Sequence, residues 1–106
     1  MEKRRLKRTA TAIPALLYAE GMTSQGEVLS ISKKGLFVHS MNIPAQGAEV
    51  RVVLKTPTAE KIEVSGHVRW TTDQLPPGTY RYPGFGMLID EWSDDFQEFF
   101  ERMLFS

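Results

Sequence analysis

Cysteine is absent from this 106-residue sequence. The chain therefore has no disulfide, no thiolate zinc site and no cysteine nucleophile, which fits a reducing compartment. No apolar run approaches the roughly 20 residues that span a bilayer, and residues 1–15 lack the apolar segment of a signal peptide. We therefore expect a cytoplasmic protein that does not insert into membranes.

Catalytic and metal-binding patterns are also missing. The sequence contains no Gly-x-Ser-x-Gly elbow, no phosphate-cradling glycine loop and no His-Glu-x-x-His pair. His39 and His67 are the only histidines, and two imidazoles without cysteine make a poor zinc site. Both alternate with apolar residues along extended segments, so we expect them to face solvent. We predict a protein that is not an enzyme and needs no metal or cofactor.

The charges, which sum to zero over the whole chain, are separated between its two ends. Residues 1–8 carry five basic side chains against one acidic, whereas residues 90–106 carry six acidic side chains against one arginine. Taken alone, a basic N-terminal run is ordinarily a solvated tail or a nonspecific attractor of nucleic acid. With little apolar content to dock it, this run also suits a loose arm that becomes ordered around an anion. We assign residues 1–10 to this arm.

Residues 11–90 contain a series of extended segments in which apolar and polar residues alternate. The first of them contains Pro14, which favours a sheet edge or a strand start. Gly66 interrupts the fifth and predicts a bulge or a close approach of backbones. Trp70 lies in phase with the apolar positions of that strand and is predicted to be buried. Strands are predicted at residues 11–20, 27–32, 36–40, 49–55, 62–70 and 84–90, with turns or loops at 21–26, 42–47, 56–60 and 75–78.

Near the C-terminus the apolar residues recur with the spacing of a helix instead of that of a strand. Ser93 is a good N-cap, and Asp94 and Asp95 suit the positive end of a helix dipole. Most of the apolar stripe, including Trp92, belongs in the core, and part of it could serve a homodimer or partner contact. The stripe consists of Trp92, Phe96, Phe99, Phe100, Met103 and Leu104.

Six strands followed by one helix predict an all-β fold with a C-terminal helix. The arrangement is a small six-stranded antiparallel β-barrel capped by that helix. A chain of 106 residues has room for one such domain. We divide it into the arm at residues 1–10, the barrel at residues 11–90 and the helix at residues 92–105.

One hexapeptide, Ser30-Ile31-Ser32-Lys33-Lys34-Gly35, combines two hydroxyls with a basic turn. In a regular strand Ser30 and Ser32 share one face, while Leu29 and Ile31 take the other. Gly35 can turn the chain tightly or let a flat ligand approach the backbone. The hexapeptide therefore predicts a turn that binds an anion. The alternative is a plain hairpin turn with Lys-Gly at its tip.

Together with the arm, this hexapeptide resembles the signature of the PilZ domain, the bacterial receptor for cyclic di-GMP. Arg4 and Arg8 match the family's Arg-x-x-x-Arg, and residues 30–35 match its Asp/Asn-x-Ser-x-x-Gly apart from the first position. The resemblance continues through residues 66–70 and 84–87 to the closing helix. It implies that cyclic di-GMP binds between the arm and the turn, at Arg4, Arg5, Arg8, Ser30, Ser32 and Gly35.

Ser30 departs from the family pattern, which has Asp or Asn at this position. A carboxylate or amide offers a better acceptor to the edge of a guanine than the single, shorter hydroxyl of serine. Losing one good base-edge contact costs about 1–3 kcal/mol. Serine at this position therefore predicts an affinity lower by roughly tenfold to a hundredfold.

Three functions remain open at this point. The first is a non-catalytic second-messenger receptor that binds cyclic di-GMP and relays the signal to an unidentified protein partner. The second is a PilZ-like adaptor that has lost ligand binding and keeps only its protein interaction. The third is a small barrel that binds single-stranded nucleic acid through its arm. Against the third, the sequence indicates little net charge on the strands and no row of exposed aromatics, so we favour the first.

Overall fold

The computed structural model describes residues 9–56, 61–91 and 93–105. Its strands are β1 (Thr9–Ala19), β2 (Met22–Ile31), β3 (Gly35–His39), β4 (Glu49–Lys55), β5 (Lys61–Thr71) and β6 (Gly84–Glu91). A short 3₁₀ helix, Thr72–Gln74, follows β5, and the α-helix α1 spans Asp94–Phe105. All strand pairs are antiparallel and close a barrel in the order β1-β2-β3-β6-β5-β4. The predicted fold class is confirmed.

Apolar side chains from every strand fill the interior of the barrel. The alternation predicted for β4 holds, because Val50, Val52 and Leu54 are all buried. Fully burying one such side chain contributes about 1.5–3 kcal/mol, so this interior accounts for most of the stability of the barrel. The interior residues with almost no exposed surface include Leu17, Val28, Ile31, Leu36, Val38, Val52, Leu54, Ile62, Val64, Val68 and Phe85.

The first hairpin is longer than its sequence predicts. Residues 21–26 are predicted as a polar turn, but all except the first lie in β2, which pairs with β1 as far as Ala19 opposite Met22. The turn shrinks to Glu20 and Gly21, whose φ angles of 53° and 75° are both left-handed. Positive φ at both central residues is the mark of a type I′ hairpin turn. Pairing with β1, rather than core burial, therefore keeps this polar end of β2 extended.

Gly66 has the role that its place within a strand predicts. The pairing of β5 with β6 shifts register between Ser65 and Gly66. A Cβ at Gly66 would lie only 1.8 Å from the carbonyl oxygen of Leu88. The predicted close approach is confirmed, and a side chain here would force β6 to move. The bulge beside Gly66 lies in the partner strand, where Asp90 of β6 is the extra residue.

Helix α1 starts as predicted. Ser93 Oγ accepts a hydrogen bond from the backbone N–H of Phe96 at 3.0 Å, as an N-cap does. Phe96 and Phe100 are buried, with ring centroids 6.5 Å apart, and the helix packs against β5. Among the described residues, no helix has the length and apolar composition to cross a membrane. Trp92 and the predicted turn residues 57–60 lie outside the described part of the chain.

Candidate functional site

Five residues on neighbouring strands line up across the outer surface of the barrel. In order they are Ala10 on β1, Ser30 on β2, Phe37 on β3, Gly86 on β6 and Trp70 on β5, each opposite the next. Neighbouring strands lie about 4.8 Å apart, so this cross-strand row extends about 19 Å. It connects the start of β1, which directly follows the arm in sequence, with an aromatic pair at the other end.

The aromatic pair is formed by Phe37 and Trp70. Their rings stack with centroids 5.5 Å apart and planes inclined by 21°. Gly86 lies between them on β6, and a Cβ there would fall 2.2 Å from Trp70 Nε1. The lack of a side chain at position 86 therefore lets the indole lie against the sheet. With 38% of its surface exposed, Trp70 still offers an aromatic face to a planar ligand.

The surface position of Trp70 corrects the prediction that it is buried. Val68 pairs with Met87, but Trp70 pairs with the very next residue of β6, so β5 has one extra residue, Arg69. Such a bulge reverses the in-and-out alternation beyond it. Trp70 therefore does not share the inward orientation of Val68 and points outward. The regular alternation of β5 hides the exposed aromatic because the bulge leaves no trace in that pattern.

A second bulge, in β2, places Ser30. Leu29 is the extra residue there, since the pairing of β2 with β3 shifts between Val28 and Ser30. Val28 and Ile31, three residues apart, are buried, whereas Leu29 and Ser30 are half-buried. The regular alternation expected from the sequence, with Leu29 and Ile31 on one face, is therefore wrong. The bulges lie in the second and the last strand of the row, next to the residues that they expose.

Ser32 closes the turn between β2 and β3. Its backbone N–H donates to the carbonyl of Gly35 at 2.9 Å. Its hydroxyl accepts from the N–H of Gly35 at 3.2 Å and donates to the same carbonyl at 3.3 Å. Because Ser32 is only 2% exposed, these bonds are made away from water. The two serines therefore differ, with Ser30 in the outer row and Ser32 inside the turn.

Close backbone packing holds this turn against β6. A Cβ at Gly35 would lie 2.4 Å from the carbonyl oxygen of Met87. On the other side of the turn, the carbonyl of Lys34 accepts a hydrogen bond from the N–H of Ile89 at 2.8 Å. These contacts fix the turn in place and leave Lys33 and Lys34 exposed at its tip.

A groove of about 450 Å³ runs beside the aromatic pair. Lys34 lines it from the turn, Arg69 and Trp70 from β5, and Phe37 from β3. No acidic residue stands among the described residues that line it. Basic side chains next to an aromatic face suit a planar ligand that carries phosphate.

A larger groove, of about 870 Å³, lies elsewhere on the barrel and has the opposite charge. Arg51 is its one basic residue within the described chain, and that guanidinium is 2.9 Å from Glu63 and 4.3 Å from the ring centre of Tyr18. A phosphate would meet repulsion here, so we assign the site to the smaller groove. The acidic residues that line the larger groove are Glu20, Glu49, Asp90 and Glu91.

Arg4, Arg5 and Arg8 lie outside the described residues. The residue that follows them, Thr9, pairs with Ile31 between the two serines. Thr9 and Ala10 are therefore part of β1, although the sequence assigns both to the arm. The predicted residues Ser30, Ser32 and Gly35 thus lie around the start of β1.

Phe37, Arg69, Trp70 and Gly86 were not predicted as site residues. One sequence signal was present, because a glycine within a strand indicates a close approach, and Gly86 is such a glycine. The partner in that approach, the indole of Trp70, depends on the register of β5 against β6. Nothing local in the sequence specifies that register.

The two histidines take part in contacts between elements. His39 Nδ1 lies 2.7 Å from the carbonyl oxygen of Pro83, and His67 Nδ1 lies 3.0 Å from Asp90 Oδ1. Both residues are half-buried, and they alternate with buried neighbours on the outer side of the barrel, as expected. The His67 side chain keeps 40% of its surface exposed. Within the described ranges, no group of three or more His, Cys, Asp or Glu residues could hold a metal ion.

Comparisons with known proteins agree with this architecture. The family model described as the PilZ domain matches residues 2–106. Among solved structures, the inhibitor of motility of Bacillus subtilis (MotI/DgrA) is similar, with a TM-score of 0.72 and 18% sequence identity over 98% of this chain. The alignment covers 52% of that protein, so the present chain spans about half its length. No curated protein matches the sequence.

Proposed function

The chain belongs to the PilZ domain family, and we propose on that basis that it is a non-catalytic receptor for cyclic di-GMP. Its signature residues match the family's ligand motif except at Ser30. The observation that carries the proposal is the pairing of Thr9 with Ile31, because it joins the arm to the barrel beside the Ser30–Gly35 turn. The arm, which carries the first half of the motif, therefore joins the barrel beside the second half, at the β1 end of the cross-strand row.

The arm is long enough to reach the row. A chain extends at most about 3.6 Å per residue, so the backbone of Arg4 lies within about 18 Å of Thr9. Arg4 and Arg8 each bring a planar guanidinium, which pairs bidentately with phosphate or with O6 and N7 of guanine. We propose that they close over ligand held against the barrel, with Arg5 adding positive charge.

The cross-strand row supplies the other side of the site. A guanine base can stack on Trp70, and base–aromatic stacking is worth about 1–3 kcal/mol. Ser30 lies two strands away from Gly86 in the row and offers its hydroxyl to the edge of the ligand. Ser32 and Gly35 act mainly by holding the turn, as their mutual hydrogen bonds suggest.

The serine at position 30, in place of the family's Asp or Asn, also favours a second function, that of an adaptor that no longer binds the nucleotide. Isothermal titration calorimetry of the purified chain with cyclic di-GMP separates the two. We expect the wild type to bind, and Arg4→Ala and Arg8→Ala each to lose most of the affinity. Lys61→Ala is the control, because Lys61 is exposed at the far end of β5, about 30 Å along the strand from Trp70. A wild type that takes up no cyclic di-GMP would support the adaptor instead.

We propose that ordering of the arm relays ligand binding to a protein partner. Ligand binding would convert the arm into part of the barrel surface and so change what a partner meets. Amide hydrogen exchange measures this directly. We expect residues 2–9 to exchange more slowly with saturating cyclic di-GMP, and equal rates in both states would exclude the mechanism.

A further inference from the structure

We infer that Arg69 and Lys34 form a phosphate-binding position on the barrel wall, separate from the arginines of the arm. It would receive the phosphate of the nucleotide whose base stacks on Trp70. The identity of the ligand rests on the proposed function, but the binding position rests on the charge and geometry of the groove.

The bulge in β5 is the first support. Consecutive residues of a regular strand point to opposite faces, yet Arg69 and Trp70 are both exposed on the outer surface. The bulge makes this possible by inserting Arg69 as the extra residue opposite β6. A guanidinium thus stands directly next to the stacking face, where the sugar-phosphate of a stacked nucleotide would lie.

The backbone at the bulge is held in place. The carbonyl of Arg69 accepts a hydrogen bond from Gln46 Nε2 at 2.9 Å. The other end of the same amide, Gln46 Oε1, accepts from Gln74 Nε2 at 2.9 Å. Two side chains therefore brace the bulge from outside the strand, and Arg69 is presented from a fixed point.

Charge is the second support. Lys34 and Arg69 line the same groove, and no ion pair involves either of them within the described residues. Arg51, on the other groove, is by contrast already paired with Glu63. Two like charges facing one groove repel each other, and a phosphate between them turns that repulsion into two charge-assisted contacts.

The position of Arg69 along the row is the third support. The arm enters beside Ala10, at the β1 end, whereas Arg69 stands next to Trp70 at the β5 end, about four strand spacings or 19 Å away. A cyclic dinucleotide carries two phosphates and two bases. Cationic groups on both sides of the aromatic pair would clasp such a ligand from opposite sides.

The first test is a calorimetric titration of full-length variants with cyclic di-GMP. We expect Arg69→Ala to bind about tenfold more weakly, as the loss of one charge-assisted contact predicts, and Arg69→Lys to fall between it and the wild type. Arg51→Ala, which also removes one surface guanidinium from the barrel, serves as the matched control and should bind like the wild type. If Arg69→Ala and Arg51→Ala both bind like the wild type, the inference is wrong and the receptor function stands.

A second test uses GMP and guanosine, which differ only by the phosphate, and follows the Trp70 indole N–H by NMR. We expect GMP to bind the wild type more tightly than guanosine, and Arg69→Ala to remove this difference. Equal binding of the two compounds to the wild type would overturn the inference. If GMP shows the Arg69-dependent preference while cyclic di-GMP does not bind, the phosphate position stands and the proposed receptor function fails.

Discussion

Ala10 and Ser30 lie directly opposite each other in the antiparallel pairing of β1 with β2. The chain that leads from the arm into the barrel is therefore bonded to the strand that ends in the Ser32–Gly35 turn. A ligand at Ser30 could be reached from the arm without any rearrangement of the barrel. This pairing supports the proposal that the two halves of the motif form one site.

Replacing Ser30 by Asn or Asp should strengthen the binding of cyclic di-GMP by roughly tenfold or more. Either side chain reaches further than serine and offers a better acceptor to the edge of guanine, a contact worth about 1–3 kcal/mol. Isothermal titration calorimetry on Ser30→Asn and Ser30→Asp measures the gain. Ser24→Asn, on the same strand but six residues away, is the control. Unchanged or weaker affinity in both Ser30 variants would contradict the role given to this position.

Ser32→Ala should destabilise the barrel by about 1–2 kcal/mol, because the buried N–H of Gly35 loses its hydroxyl partner. Urea denaturation measures the change in the free energy of unfolding. Ser65→Ala, a half-buried serine on β5, should cost less. A Ser32→Ala protein of normal stability but reduced ligand affinity would show that this hydroxyl serves the ligand instead of the turn.

Gly86→Ala should weaken ligand binding while leaving the barrel stable. The new Cβ would collide with the indole of Trp70, a side chain that can swing away, and the stacking surface would be lost. Loss of stacking predicts an affinity lower by about tenfold, since one stacked base is worth about 1–3 kcal/mol.

Gly66→Ala is the comparison for that variant. Its Cβ would meet the backbone carbonyl of Leu88, which cannot move without displacing β6, so this variant should lose stability. Urea denaturation and titration with cyclic di-GMP are measured for both. If Gly86→Ala binds like the wild type although the Trp70 indole N–H signal has moved, Trp70 has no part in binding.

Phe96→Ala should lower the free energy of unfolding by about 3–5 kcal/mol, because this fully buried ring anchors α1. Ser93→Ala removes the N-cap bond to Phe96 and should cost about 1 kcal/mol. Gln97→Ala, on the exposed side of the helix, is the control. Thermal unfolding followed by circular dichroism ranks the three, and a Phe96→Ala protein as stable as Gln97→Ala would refute the anchoring role.

Regular segments of the fold could be predicted from their patterns. The bounds of β4, Glu49–Lys55, agree with the predicted strand at residues 49–55, since Val50, Val52 and Leu54 alternate without interruption. The helix start at Ser93 could also be predicted, because capping is a local interaction. The predicted turn at residues 21–26 failed because a two-residue turn with positive φ at Glu20 needs no glycine-rich segment.

The candidate site was predictable only in part. Ser30, Ser32 and Gly35 were found from a short motif, but the motif did not reveal that Ser32 lies inside the turn and Ser30 in the outer row. The alternation in β5 predicts that Trp70 is buried, and it gives no sign of Arg69 as a site residue. Both errors come from one bulge, whose extra residue leaves no trace in the local pattern.

By itself, the sequence determined the six strands and the closing helix, most of the apolar core and the match to the PilZ signature, since these depend on local periodicity, capping and residue identity. The tertiary structure alone decided which side chains share the outer surface of the barrel. That choice depends on the register between strands distant in the chain, and closure of the barrel sets the register and its bulges at Leu29 and Arg69.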